Sequence, residues 1–345
     1  MTRSAVPPPV TAVMEAADDW LPDRLAEVER RLAELAAGHG PELGGEAEAT
    51  LTAGGKRLRP LLVLVCAGPT AGPRAVRAAV AVELVHMATL VHDDVLDDAP
   101  VRRGRPTVVA RAGRSTAVGV GDLLFSRAFA ELTSTAQINV GHKHRRRTDA
   151  TGPDDGDGEV AELSSAAVAL ARGELAQRGD AYDMSLAEER YLHRCALKTA
   201  RLFEAACRVG RLSSGRPGRD RIAEFGREIG LSFQLLDDVL DVTGPPERTG
   251  KARGTDLLDG TVTLPVILAI RRDPDLADLD LRGLDAGAAE SACARIAATG
   301  ALDEVRDRAR AGIKRAKALL GGDSFTPVER RLLSLIADGV VERYS

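Results

Sequence analysis

This sequence of 345 residues contains few aromatic residues, and it has only a small excess of charge of one sign. Only 3% of the residues are aromatic, and 51 acidic residues outnumber 47 basic ones, which gives a formal net charge of −4. Proteins that bind nucleic acids usually present basic surfaces, and often aromatic rings on which bases stack. The composition therefore argues against a nucleic-acid partner.

Long apolar runs and paired cysteines are also lacking. No apolar run approaches the roughly 18 residues that a membrane span requires, and the longest candidate, Pro60–Pro73, is interrupted by glycine and proline. The segment 1–10 contains three consecutive prolines and no apolar stretch typical of a signal peptide. The four cysteines have no CxxC spacing that would indicate a zinc site or a disulfide framework. We therefore expect a cytoplasmic protein with reduced thiols and no transmembrane segment.

The residues that are present favour helices. Ala, Leu, Arg and Glu dominate, and apolar residues recur at steps of three and four, as in Leu21, Leu25, Val28 and Leu32. The stretch 75–96 is apolar nearly all round until its end, which predicts a central, buried helix. We expect an all-α fold of roughly ten or more helices with almost no sheet.

The polarity of the sequence also predicts its organisation. We expect a flexible N-terminal segment over 1–19 and a single all-α domain over 20–345. Within that domain, 133–158 is polar, with a basic run followed by an acidic one, which predicts a partly disordered surface loop. A docking role for the basic run is the less favoured alternative.

Two acidic clusters of the form DDxxD are the first candidates for chemistry: Asp93-Asp94-Val95-Leu96-Asp97 and Asp237-Asp238-Val239-Leu240-Asp241. With about 3.6 residues per helical turn, the first and last aspartates of each cluster lie on one face. Like charges at this spacing destabilise a helix, so we expect a counter-charge, for which Mg²⁺ shared with substrate phosphates is the natural candidate. A solvated acidic helix end would explain one cluster but not two copies of one string.

Basic residues accompany both clusters. Three cations follow a glycine pair in 54–60, Arg102 and Arg103 follow the first cluster, and Lys251 follows the second. Lys198 precedes Thr199 in a stretch that predicts a helix. Cations combined with acidic metal sites suit a diphosphate, which would be bridged by metals on one side and held by Arg and Lys on the other.

Taken in order, these strings resemble the trans-isoprenyl diphosphate synthases, or polyprenyl synthetases, of the bacterial type. The likeness extends from about residue 20 to the C-terminus and is carried by Gly54–Pro60, His92–Asp97, Arg102–Gly104 and Phe233–Asp241. The resemblance implies the isoprenoid synthase fold, in which roughly ten or more helices surround a deep central cavity. It also implies a homodimer, with the two aspartate clusters facing each other across the cavity mouth.

The resemblance assigns a role to each matching residue. Six aspartates match the two metal-binding motifs, with Asp93, Asp97 and Asp237 as principal ligands and Asp241 as a further ligand; Asp94, Asp238 and Lys198 join them as catalytic residues. The pocket for isopentenyl diphosphate matches Lys56, Arg59, His86 and Arg103. Contacts to the allylic diphosphate match Arg102, Lys198, Thr199 and Lys251. Gln234 matches the glutamine before the second motif, and 173–177 resembles a helix that lines the cavity.

The implied reaction is head-to-tail prenyl transfer, in which isopentenyl diphosphate attacks an ionised allylic diphosphate and pyrophosphate leaves. The resemblance implies about three Mg²⁺ ions per site, bound together with the diphosphate. Thr261 stands where many members of the family have a lysine, which predicts one cation fewer at the allylic site.

Two small residues before the first cluster bear on product length. Ala88 and Thr89 lie about 6 to 8 Å before Asp93 on a helix, where the growing chain must pass. In the family, aromatic residues here form a floor that limits the product to farnesyl length. Ala88 and Thr89 form no such floor, so we expect a geranylgeranyl or longer product of at least about twenty carbons. A farnesyl-length product is the alternative.

Three other functions compete with prenyl transfer. A class I terpene cyclase also ionises a diphosphate but needs no pocket for a second substrate. An HD-type phosphohydrolase would use His92 and Asp93 but leaves the second cluster unexplained. An inactive partner subunit of a heteromeric synthase would have lost metal-binding aspartates, whereas all six are present here.

Overall fold

The computed structural model describes residues 8–18, 20–37, 45–46, 49–50, 57–102, 104–138, 157–244 and 253–342. Its α-helices are α1 (Pro8–Ala16), α2 (Trp20–Ala37), α3 (Leu58–Ala67), α4 (Pro73–Leu96), α5 (Val108–Ile138), α6 (Asp157–Gly179), α7 (Glu188–Cys195), α8 (Arg201–Ser213), α9 (Arg219–Thr243), α10 (Thr255–Leu258), α11 (Leu264–Arg272), α12 (Ala286–Ala298), α13 (Ala301–Leu319) and α14 (Pro327–Glu342). A π-helical turn, Ala196–Ala200, joins α7 to α8, and the 3₁₀ turns Pro274–Asp278 and Leu281–Gly283 precede α12. Two short strands, β1 (Val101–Arg102) and β2 (Arg105–Pro106), form an antiparallel hairpin. The prediction of an all-α fold with almost no sheet is confirmed.

Helix α4 is the central buried helix that the sequence predicts. Pro73 stands in its first turn, where a missing N–H removes no hydrogen bond, and the helix ends at Asp97, whose N–H donates to the carbonyl of Asp93. By length and composition α4 is the one described helix apolar enough to cross a membrane, but 72% of its apolar window is buried inside the fold. Its apolar character is therefore that of a core helix, packed against α3, α5 and α8.

Glycines allow the helices around the core to approach one another closely. A Cβ added to Gly226 of α9 would lie 2.6 Å from the carbonyl oxygen of Phe203 on α8. One added to Gly230 would lie 2.6 Å from the Cα of Ala200. These contacts fix α9, which carries the second aspartate cluster, against the π-helical turn that carries Lys198.

Two expectations about polar or terminal segments are wrong over part of their length. Helix α5 continues to Ile138 and α6 begins at Asp157, so the ends of the loop expected over 133–158 are helical; 139–156 lie outside the described residues. Helix α1 lies inside the segment expected to be flexible, and it packs against α14 with Val13 buried in the main core. Polar residues at the ends of α5 and α6 concealed their boundaries, and α1, with nine residues, is too short to show a clear apolar period.

Candidate active site

A cavity of about 850 Å³ opens among α4, α5, α6, α7 and α9. Asp93 and Asp97, at the end of α4, and Asp237, near the end of α9, all line it. Helical spacing explains the α4 pair, because side chains four residues apart project from one face. The structure therefore brings both DDxxD strings to one cavity.

Burial and neighbouring charged groups together determine the pKa of Asp93. Burial raises the pKa of its carboxyl to about 6, the Lys198 ammonium opposes that rise, and the Glu174 carboxylate adds to it. Burial disfavours the charged form of Lys198, but Asp93 and Glu174 outweigh burial and raise the lysine pKa. Lys198 therefore remains a cation beside Asp93.

The π-helical turn determines where Lys198 stands. The N–H of Arg201 donates to the carbonyl of Ala196, five residues earlier, so this turn is wider than an α-helical one. Helix α6 packs against it at Gly173, where an added Cβ would lie 2.5 Å from the backbone nitrogen of Lys198. This close approach brings Glu174 into an ion pair with the Lys198 ammonium.

Asp238 belongs to a buried hydrogen-bond chain rather than to the exposed face of the second cluster. The Tyr191 hydroxyl and the Gln234 amide (2.8 Å) both donate to its carboxylate, and the Thr199 hydroxyl donates to the Gln234 carbonyl at 2.6 Å. Burial, and after it the nearby Asp256, raises the Asp238 pKa to about 8; the Tyr191 and Gln234 hydrogen bonds lower it. The chain orients Thr199 and Gln234, both of which line the cavity.

Two of the six aspartates, Asp94 and Asp241, do not line the cavity, and their expected roles stay predictions. Asp94 is buried and accepts a 2.6 Å hydrogen bond from Nε of Arg102, so it orients that arginine at the cavity. Asp241 accepts a 3.2 Å hydrogen bond from the backbone N–H of Asp256 and so holds α10 beside α9.

The predicted substrate-binding residues divide into three groups. Arg59, His86, Arg102, Lys198, Thr199 and Gln234 all line the cavity. Lys56, Arg103 and Lys251 lie outside the described residues.

The third group is the pair expected to set product length. Thr89 lines the cavity, and its hydroxyl donates to the carbonyl of His86 at 2.7 Å. Ala88 is fully buried in the core and does not line the cavity, which corrects the expectation that both residues lie along the path of the chain. Adjacent helical residues point about 100° apart, and here Thr89 and Leu90 face the cavity while Ala88 faces the core.

Several cavity residues were missed from the sequence. Asp256 and Asp259 line the cavity, and Arg178 lines it from the end of α6. Thr261, which the sequence did single out, lines it as well. Asp256 and Asp259 flank a leucine pair in the string that contains Thr261, which was a detectable signal. No sequence signal identified Arg178, because an arginine near a helix end usually lies in solvent.

The carboxylates that line the cavity suit a hard divalent cation. Among the described residues, no group of three His, Cys, Asp or Glu side chains could hold a metal ion by itself. Asp93, Asp97 and Asp237 nevertheless offer oxygen donors from two helices, and Mg²⁺ is commonly bound by one or two carboxylates together with substrate phosphates. The donor set therefore fits a cation whose remaining ligands come from a diphosphate.

Comparison with known proteins agrees with this geometry. Heptaprenyl diphosphate synthase component 2 of Geobacillus stearothermophilus is 39% identical over 283 residues, 81% of this chain and 82% of that protein. Geranylgeranyl diphosphate synthase of Methanosarcina mazei is 34% identical over 331 residues, 94% of this chain and 97% of that protein. The crystal structure of polyprenyl synthase from Caulobacter crescentus CB15, complexed with calcium and isoprenyl diphosphate, matches with a TM-score of 0.84 and 31% identity, over 99% of this chain and 100% of that one.

The fold and the paired carboxylates thus define a protein of the isoprenoid synthase class. The model of the polyprenyl synthetase family matches residues 41–291. The chain belongs to the polyprenyl synthetase family, as its motifs indicate.

Proposed function

We propose that this protein is a prenyltransferase that condenses an allylic diphosphate with isopentenyl diphosphate, head to tail and with E configuration. The observation that carries the proposal is one cavity that is lined by carboxylates of both DDxxD strings and by apolar residues of α4, α5, α6 and α9. The names of the relatives, which are prenyl diphosphate synthases, support the same reaction.

Charge at the cavity mouth would drive the first step. Lys198 and Arg102 line the cavity, and their donors would stabilise the negative charge that develops on the leaving pyrophosphate as the allylic C–O bond breaks. Asp93, Asp97 and Asp237 would hold Mg²⁺, which supplies Lewis-acid neutralisation of the diphosphate. Both electrons of the broken bond stay on pyrophosphate, and the allylic carbon becomes a cation.

The second substrate completes the reaction. Arg59 and His86 line the same cavity and would hold the diphosphate of isopentenyl diphosphate, as the family resemblance implies. The π electrons of its double bond form the new C–C bond to the allylic cation. This bond formation transfers the positive charge to the isopentenyl unit. The carbon next to the new cation then loses a proton to a pyrophosphate oxygen, and the electrons of that C–H bond form the double bond of the product.

The cavity walls suit a carbocation and a growing apolar chain. Leu90, Val118, Leu170 and Phe233 contribute apolar surface, and the rings of His92 and Phe125 stack with centroids 5.7 Å apart. Such walls exclude water, which would otherwise capture the cation as an alcohol.

The product is expected to exceed farnesyl length. Thr89 and Leu90 of α4 line the cavity within one turn before Asp93, and neither provides an aromatic side chain that would form a floor at this level. The relatives are named for products from geranylgeranyl to nonaprenyl length, which supports a geranylgeranyl or longer product.

The competing functions explain less of the cavity. A terpene cyclase would have no use for Arg59 and His86 as a second diphosphate pocket. An HD-type phosphohydrolase would use His92 and Asp93 but leaves unexplained why carboxylates of the second DDxxD string line the same cavity. In this structure the His92 ring instead stacks on Phe125.

We further propose a cytoplasmic homodimer. All four cysteines are buried free thiols, which suits a reducing compartment. The Geobacillus relative is named as component 2 of its synthase, so a heteromeric enzyme is the competing arrangement. Size-exclusion chromatography with light scattering, combined with an assay of the purified chain alone, separates the two arrangements. A dimer of this chain that is active alone supports the homodimer, and activity only with a second component contradicts it.

Pyrophosphate release tests the reaction class. With farnesyl diphosphate and Mg²⁺, we expect rapid release only when isopentenyl diphosphate is added, and none in the presence of excess EDTA. Equal release without isopentenyl diphosphate would indicate a cyclase or a phosphohydrolase instead. Undiminished release in EDTA would contradict the metal site.

A further inference from the structure

Arg178 occupies an unusual position among the basic residues of the cavity. It lies at the end of α6, and its Nη2 is 3.1 Å from Oδ1 of Asp97 and its Nε 3.7 Å from Oε1 of Glu174. The side chain is 42% exposed and lines the cavity mouth. A long cation thus reaches across from α6 to the end of α4.

The partners of Arg178 differ from those of the other cavity arginines. Arg102 is fixed by the buried Asp94, and Arg194 is itself buried and donates to the carbonyl of Val262 at 2.7 Å. Arg178 instead pairs with Asp97 and Glu174, two carboxylates that line the cavity. Its ion pairs therefore compete with anything that binds at the mouth.

Glu174 links Arg178 to the lysine of the site. One of its carboxylate oxygens pairs with the Lys198 ammonium, and the other faces Nε of Arg178. Glu174 and Arg178 are four residues apart on α6, so they project from the same face. Arg178 and Lys198 therefore flank one carboxylate along the same wall of the cavity.

We propose that Arg178 is a substrate-binding residue that exchanges Asp97 for the oxygens of a diphosphate when substrate binds. The inference rests on the proposed function, in which Asp97 is one of the carboxylates that hold Mg²⁺. A carboxylate engaged by a cation is a weaker partner for a guanidinium, and diphosphate oxygens then become the strongest acceptors within its reach. Release from Asp97 would thus place the arginine on the substrate.

Binding measurements test the exchange without relying on turnover. Isothermal titration calorimetry would measure two affinities for wild type and for Arg178→Gln. The first is the affinity for inorganic pyrophosphate at saturating Mg²⁺, and the second, in separate titrations, is the affinity for Mn²⁺ alone. We expect the variant to bind pyrophosphate about tenfold or more weakly, since a charge-assisted contact is lost. We expect its affinity for Mn²⁺ to stay equal or to rise, because Asp97 loses a competing partner.

Two further variants sharpen the comparison. Arg172→Gln changes an exposed arginine on the same helix that does not line the cavity, and it should bind both ligands as wild type does. Arg178→Lys keeps the charge but loses the planar pair of donors, so it should recover part of the pyrophosphate affinity.

Each contrary result has a distinct meaning. Pyrophosphate affinity unchanged in Arg178→Gln would overturn the assignment of Arg178 and leave the proposed function standing. Loss of Mn²⁺ and pyrophosphate affinity together would also overturn it, because Arg178 would then support the site instead of contacting the ligand. Failure of wild type to bind pyrophosphate with Mg²⁺ would overturn the proposed function itself.

Discussion

At the residue scale, the two aspartate strings do not act as blocks of equivalent carboxylates. Asp93, Asp97, Asp237 and Asp238 line the cavity. Asp238 also accepts hydrogen bonds within a buried chain, and Asp94 orients Arg102. Helical periodicity places Asp93 and Asp97 together on the cavity face, but it pairs Asp237 with Asp241, which does not line the cavity. The partners of the other members come from distant parts of the chain, so the sequence could not assign them.

Asp93→Asn tests the metal-binding role of the first string. We expect kcat to fall about a hundredfold or more, since the substitution removes charge from a preorganised site. Asp98→Asn is the matched control, because that aspartate ends the same acidic run but its side chain is 81% exposed and pairs with Arg114 at the surface. Steady-state kinetics should show Asp98→Asn near wild type. Comparable losses in both variants would contradict the assignment.

Thr89→Phe tests the path of the growing chain. A phenyl group at this cavity-lining position should block elongation and shorten the product, as measured by chromatography of dephosphorylated products. Ala88→Phe is the contrast, because Ala88 is fully buried and a larger side chain there overpacks the core, at about 1 to 3 kcal/mol of stability. Unchanged products in Thr89→Phe would show that the chain runs elsewhere.

At the element scale, one glycine determines how α6 meets the π-helical turn. Gly173→Ala places a Cβ 2.5 Å from the backbone nitrogen of Lys198, so the two elements must separate. We expect a loss of about 1 to 3 kcal/mol in unfolding free energy and a lower kcat, because Lys198 moves relative to Asp93. Gly179→Ala, where a Cβ meets nothing within 4 Å, is the control and should leave both unchanged. A stable, fully active Gly173→Ala would contradict the close contact.

A buried ion-pair cluster ties the C-terminal helix to the rest of the fold. Oε1 of Glu329, on α14, lies 2.7 Å from Nη2 of Arg211, which is fully buried on α8. Oε2 of Glu329 lies 2.8 Å from Nη2 of Arg216. Burial raises the pKa of Glu329, and the two guanidinium groups oppose that rise. The cluster is a tertiary contact between residues more than a hundred positions apart, which no local pattern in the sequence predicts.

Glu329→Gln tests this cluster. Because it leaves Arg211 buried without its counter-charge, we expect unfolding free energy to fall by about 3 kcal/mol or more in urea titrations. Asp307→Asn breaks the exposed pair with Arg310 on α13 and should change stability little. Similar stability of the two variants would show that the buried pair is dispensable.

At the scale of the whole molecule, periodicity and motif order predicted the all-α fold and the family. The apolar pattern of 75–96 identified the central helix because burial on all sides leaves little room for polar residues. The shape of the cavity could not be predicted from the sequence, because it depends on which faces of α4, α5, α6 and α9 pack against each other. The positions of Arg178 and Asp256 at its mouth follow from that packing.

The number of carbons in the prenyl product of the wild-type protein tests the central claim most directly. The purified protein would be incubated with farnesyl diphosphate, labelled isopentenyl diphosphate and Mg²⁺, and the dephosphorylated products separated by chromatography. We predict labelled all-trans prenols of geranylgeranyl length or longer, because the residues proposed to hold both diphosphates line one cavity and no aromatic residue of α4 lines it in the turn before Asp93. Absence of any labelled prenol, or conversion of farnesyl diphosphate into an unlabelled hydrocarbon, would contradict prenyl transfer in this cavity.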